Sequence, residues 1–118
     1  MIRSTAAAAF AAVAAFVASP ALAADGAQLF AMQCKLCHQA ASSPLAPSLA
    51  GVAGGKIAGR ADFNYSPGLK AKGGTWTDAN LNAWLTSPAA FSPGAKMVVN
   101  VPSAESRAAI IGYLKTLK

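Results

Sequence analysis

At 118 residues the chain is long enough for one small domain and too short for a multidomain assembly. Ten Lys or Arg against four Asp or Glu give a formal charge of +6, but the basic residues are scattered singly, which argues against a nucleic-acid site and for a mildly basic face toward an acidic protein partner. The two cysteines lie only three positions apart and exclude a disulfide framework, because a bridge between them would close too short a loop to remove much chain entropy.

The N-terminus carries Arg3, an apolar run from Ala6 to Val17, and Ser19-Pro20 before Ala21-Leu22-Ala23, the pattern of an export signal cleaved after a small residue. As a membrane anchor the run falls short, since at about 1.5 Å per helical residue it spans ~20 Å of a ~30 Å hydrocarbon core. Residues 1–23 are therefore read as a signal peptide and 24–118 as a single domain, exported to the periplasm and without permanent membrane insertion.

Asp25, with Gln28 three residues on, predicts a helix start, and Leu29, Met32, Gln33 and Leu36 recur at helical spacing, so the first helix is expected from Gly26 to Cys37. From Gln39 to Gly74, frequent Gly, Pro and Ser predict loops around a rigid group, with one short helix near Pro67 to Lys72. Thr77 or Asp78 opens a second main helix whose Leu81, Trp84 and Leu85 share a face, and Pro88 ends it. Ser103 caps a last helix with Glu105 in its first turn, Lys115 and Lys118 in its last, and an apolar stripe of Ile110, Tyr113, Leu114 and Leu117. With no alternating strand pattern, the fold class is all-α: three main helices plus short helices and loops. So small a core needs reinforcement, and a buried prosthetic group would supply it.

The run Cys34-Lys35-Leu36-Cys37-His38 supplies the attachment. Thiols at i and i+3 meet one edge of a haem while the adjacent imidazole reaches its iron, which makes this the signature of covalent haem c binding. A thioredoxin-type pair would follow a strand of a βαβ unit, which is lacking, and a zinc site would need ligands from a third Cys or a second His, and there are none. A single His also excludes bis-histidine ligation, leaving Met, Lys, a terminal group or water as the sixth ligand. Met32 sits on the first helix and cannot swing to the far haem face, whereas Met97 follows Pro93 and Gly94 in a loop. Met97 alone is as readily a core filler as a ligand; beside a haem motif, ligation becomes the stronger reading, giving His38 and Met97 as the metal ligands. A neutral imidazole and a soft thioether favour ferrous iron, so a positive potential is expected.

Across the whole mature region the sequence resembles the class I c-type cytochromes, the mitochondrial-type cytochrome c and its bacterial periplasmic counterparts. The resemblance rests on Gly26 and Phe30, on Pro47-Ser48-Leu49-Ala50-Gly51, on Phe63-Asn64-Tyr65, on Gly74-Thr75-Trp76, on Leu81, Trp84, Leu85 and Pro88, and on Pro93-Gly94 before Lys96-Met97. It implies the cytochrome c fold wrapped around one covalently bound haem, and single-electron transfer between redox proteins rather than enzymatic turnover. By the same resemblance the Pro47 carbonyl accepts the other ring proton of His38, Leu49 belongs to the pocket beside it, and Tyr65 and Trp76 donate to a buried propionate. Trp84 and Leu85 then line the methionine side. The partners implied are a quinol-oxidising cytochrome complex, a terminal oxidase, a reaction centre or a periplasmic dehydrogenase, met as a monomer at the edge bearing Cys34 and Cys37, near Lys35, Lys96 and Ala89. Two rivals remain: a cytochrome subunit tightly bound to a dehydrogenase, and an open-coordinate haem protein binding an external ligand. The departures are a short loop between His38 and Pro47, Gly55 where an Arg is usual, Trp84 for Tyr, and Ala95 for Thr.

Overall fold

The computed structural model describes residues 25–118, together with 7–9. The expected signal peptide otherwise lies outside the described residues. Among these residues there are five helices and no strand: α1 (Gly26–Gln33), α2 (Pro67–Lys72), α3 (Asp78–Thr86), α4 (Pro88–Phe91) and α5 (Ala104–Leu114). None is long and apolar enough to cross a membrane.

Helix α1 starts where the Asp25 carboxylate accepts from the Ala27 amide at 3.0 Å, satisfying one of the orphan donors of the first turn. It ends earlier than the spacing predicts, for Lys35 N turns back to Phe30 O at 2.9 Å and Cys34 to Cys37 form a turn. The apolar spacing that suggested a longer helix is not a buried face: Met32 is 72% and Leu36 81% exposed, and Phe30 is what α1 buries.

The partner of that buried face is α5. Gly26 packs so closely on Ala109 that a Cβ there would run into the Ala109 carbonyl, and the Phe30 and Tyr113 rings lie 5.0 Å apart. Helix α5 is capped by the Ser103 hydroxyl accepting from Ser106 N at 3.2 Å, and it buries Ile110, Ile111 and Leu114. It stops at Leu114, so Leu117 lies past the helix. Lys115 is its C-cap residue, and its ammonium reaches Asp78 at 2.7 Å rather than the helix end.

Thr77 opens α3 by accepting from Asn80 N at 3.1 Å, and Leu81 and Leu85 point into the core. Pro88 does more than end α3. It sits at the start of α4, where its missing N–H costs nothing, and the Ser87 hydroxyl caps that helix by accepting from Ala90 N at 3.2 Å.

The Gly- and Pro-rich stretch is better ordered than a loop reading implies. Gly54 N to Trp76 O (2.8 Å), Trp76 N to Gly55 O (2.7 Å) and Ile57 N to Gly74 O (3.0 Å) pair two segments around the isolated antiparallel bridge of Lys56 with Thr75. Ile57, 2% exposed, and Trp76 thereby join the core formed by Phe30, Leu69, Leu81, Leu85, Val101, Ile110, Ile111 and Leu114.

Further along, Arg60 grips Asp62 through Nε (3.0 Å) and Nη2 (2.9 Å), and Ser42 Oγ donates to the same carboxylate at 2.8 Å, fastening the 39–48 loop to the 60–66 loop. The Arg60 hydrogen bond, then that from Ser42, holds the Asp62 carboxyl well below its ordinary 3.8, at about 2. Because the folded-state value is depressed, the stabilisation is present above the unfolded value near 4 and is lost as pH falls from there through about 2. Thermal melts of wild type and Asp62→Asn are therefore expected to converge across that window. A difference undiminished at pH 2 would contradict the assignment. The effect is small, because the pair is exposed.

Candidate functional site

The helices and the paired segments enclose a cavity of about 410 Å³ that opens to the surface. The attachment residues stand at one side of it. After α1, His38 N bonds back to Cys34 O at 2.9 Å and Cys37 N to the same carbonyl at 3.1 Å, so the turn keeps the two thiols and the imidazole on the cavity wall. Both thiols are free and partly buried, and burial raises the Cys34 pKa above its ordinary value.

The His38 imidazole is fixed by a 2.9 Å hydrogen bond between its Nδ1 and the Pro47 carbonyl. A carbonyl oxygen only accepts, so Nδ1 carries the proton and Nε2 is left with a lone pair for a metal. Burial lowers the His38 pKa, opposed in part by that hydrogen bond, and so favours the neutral ring, the form that binds a metal.

The residues expected from sequence to bind the cofactor meet on this one cavity: Cys34, Cys37 and His38 from the turn after α1, Pro47 and Leu49 from the following loop, Tyr65 and Trp76 beyond it, Trp84 and Leu85 from α3, and Met97 from the loop after α4. The Tyr65 hydroxyl accepts from Arg60 N at 3.3 Å, which leaves its own proton for a further acceptor. Trp76, Trp84 and Phe91 form an aromatic cluster with centroid separations of 5.5 to 5.9 Å. The Met97 loop is pinned to the 60–66 loop by Lys96 Nζ, which donates to Asn64 O at 2.7 Å, while Lys72 Nζ donates to Phe91 O at 2.8 Å.

Several wall residues carried no sequence signal. Leu45, Val98 and Val99 are exposed apolar residues that also line the cavity, and they could have been found only as large hydrophobics in loops without helical or alternating spacing. Of the residues expected near the docking edge, Lys96 lines the cavity, whereas Lys35 and Ala89 do not. No cluster of three or more His, Cys, Asp or Glu arranged to hold a metal ion occurs among the described residues.

A sequence model of the family described as cytochrome c matches residues 23–118. The chain belongs to the cytochrome c family. It is 41% identical over 95 residues to a cytochrome c2 of Rhodomicrobium vannielii, spanning 77% of this chain and 75% of that protein. Identity to a cytochrome c of Tetrahymena pyriformis is 40% over 94 residues, spanning 78% of this chain and 85% of the relative. Among solved structures, cytochrome cH from Methylobacterium extorquens superposes with a TM-score of 0.73 at 41% identity, over 80% of this chain and 97% of the other.

Membership brings the cytochrome c fold and covalently attached haem c with its iron. The cavity suits that group in its own right: a mostly apolar chamber with two free thiols and an imidazole lone pair on one wall and a thioether among its other lining residues. The cytochrome c family's rigid macrocycle also accounts for a chain of this size carrying so large an opening in its core.

Proposed function

We propose that this chain is a monohaem electron carrier of the periplasm, exported with cleavage after Ala23, in which Cys34 and Cys37 hold haem c and His38 and Met97 are the axial ligands. The observation that carries the reading is the His38–Pro47 hydrogen bond, since it fixes the tautomer that leaves Nε2 bare in a cavity shared with both thiols and the Met97 thioether. Haem supplies the one-electron change; the protein's own residues make that change easy. Leu49, Leu85, Trp84 and Trp76 keep water from the chamber, Pro47 fixes the ring of His38, and Tyr65 retains a proton to donate toward a buried carboxylate. With His38 and Met97 both holding the iron there would be no place for a substrate, so the activity would be transfer between partner redox proteins that dock weakly at the side of the cavity carrying Cys37, Leu45, Val98 and Val99.

The test is production of the full chain in a host with c-type maturation. Expected are a periplasmic protein whose mass equals Ala24–Lys118 plus one haem, a low-spin spectrum with a sulfur-to-iron charge-transfer band, and a positive one-electron midpoint. A colourless folded product, or a high-spin spectrum, would overturn the proposal.

A further inference from the structure

A run of hydrogen bonds leads from the protein surface to the imidazole of His38. The His38 Nδ1–H donates to Pro47 O at 2.9 Å. That carbonyl belongs to the Pro47–Ser48 peptide, whose N–H donates to Ser42 Oγ at 2.8 Å. The Ser42 hydroxyl, having accepted, spends its own proton on Asp62 Oδ1 at 2.8 Å, and Asp62 is held from behind by the Arg60 guanidinium at 2.9 and 3.0 Å. Every donor in the run points toward the Asp62 carboxylate and every acceptor faces back toward the ring, so no link is reversed.

We propose that Ser42 and Asp62 are positioning residues that tune His38 through the Pro47–Ser48 peptide. The carboxylate draws the Ser42 proton, which makes Oγ a better acceptor for the Ser48 N–H. A peptide whose N–H is bonded more strongly has a more negative carbonyl, and Pro47 O then pulls harder on the Nδ1 proton. Chained hydrogen bonds polarise one another in this way by roughly 10–30% per bond. The outcome is a more electron-rich imidazole, a stronger donor toward ferric iron, and a lower reduction potential than an isolated His–carbonyl pair would give. Asp62 is ionised at neutral pH, so the bias is permanent. The loop between His38 and Pro47 is what brings Ser42 beneath the peptide, and Ser48, 4% exposed, keeps that part of the run out of water.

This inference rests on His38 being the axial ligand, and the experiment separates the two. In the ferric holoprotein, the proton NMR resonance of His38 Nδ1–H is followed together with the midpoint potential at neutral pH, for wild type, Asp62→Asn, Ser42→Ala, Ser42→Thr and the double variant Asp62→Asn/Ser42→Ala. Expected are an upward potential shift and a moved ring-proton resonance in Asp62→Asn and in Ser42→Ala, wild-type values in Ser42→Thr, and no further effect of Asp62→Asn once Ser42 is Ala. Equal shifts from Asp62→Asn in both backgrounds would mean a plain through-space charge effect and overturn the relay, as would no shift in either. A wild-type ring proton without a paramagnetic shift would instead sink the axial assignment. Should Ser42→Ala fail to mature, the ring proton of Asp62→Asn decides: moved supports the relay, unmoved overturns it.

Discussion

Met97→Ala is expected to abolish the sulfur-to-iron charge-transfer band, lower the midpoint potential, and let external ligands such as cyanide or imidazole bind. Among the described residues no second thioether and no second imidazole lines the cavity. The one His is engaged with Pro47, and Met32 stands 72% exposed on α1. Lys96, the neighbouring residue, is occupied by Asn64 O at 2.7 Å. Water or an added ligand therefore fills the position, and the potential falls by an appreciable part of the ~0.8 V range over which axial ligands set haem potentials. Met97 is only partly buried, so the truncation costs about 2 kcal/mol of stability, near the low end for losing a core methionine. Absorption spectra, ligand titrations and a redox titration check the three effects, and retention of the band in Met97→Ala would dismiss Met97 as a ligand.

Gly26→Ala is expected to destabilise the protein by about 3 kcal/mol, whereas Gly112→Ala is expected to stabilise it by about 1 kcal/mol. Both are helical glycines of the α1 and α5 pair, so helix propensity favours alanine at each. Surroundings reverse the sign at the first. A Cβ on Gly26 would strike the Ala109 carbonyl oxygen, lie 2.8 Å from its carbon and 3.1 Å from Tyr113 Cβ, and backbone atoms cannot swing aside as a side-chain tip can. A Cβ on Gly112 meets nothing within 4 Å. The helices must then separate in Gly26→Ala, opening the Phe30–Tyr113 contact and the wall that Phe30, Ile110 and Leu114 give the cavity. Guanidinium unfolding of the two holoproteins measures both; equal effects at the two sites would rule out close approach as the reason for Gly26.

Much of the site was legible because its chemistry is local. Cys34, Cys37 and His38 announce themselves by spacing, and the caps Asp25, Thr77 and Ser103 sit where short polar side chains before apolar runs should. The hydrogen bond from His38 to Pro47 was reached through family resemblance, since nothing in spacing alone pairs residues nine apart across a loop. Less legible was whatever depends on tertiary context. Met32 and Leu36 fit helical spacing yet face solvent, and the helix stops before the cysteines because Lys35 N turns back to Phe30 O. Pro88 was read only as a stop, although a proline is equally at home in a first turn, and the Ser87 cap turns the stop into a new start. The pairing of Gly54–Ile57 with Gly74–Trp76 and the meeting of Ser42 with Asp62 join segments about twenty residues apart through main-chain or short polar groups, which leave no periodic trace.

Much of the chamber's lining is the core itself. Phe30, Leu69, Trp76, Leu81, Leu85, Ile110 and Leu114 belong to both, so the hydrophobic cluster is a shell whose inner surface is the cavity wall. Without the macrocycle, these side chains would have to face water or collapse onto one another, and either leaves the helices without a common centre. The attachment thiols come early in the chain and other lining residues late, at Trp84 and Met97. Folding in this architecture is thereby tied to attachment: the walls have no common centre until the macrocycle is in place, so a chain that misses the ligation step is expected to stay open.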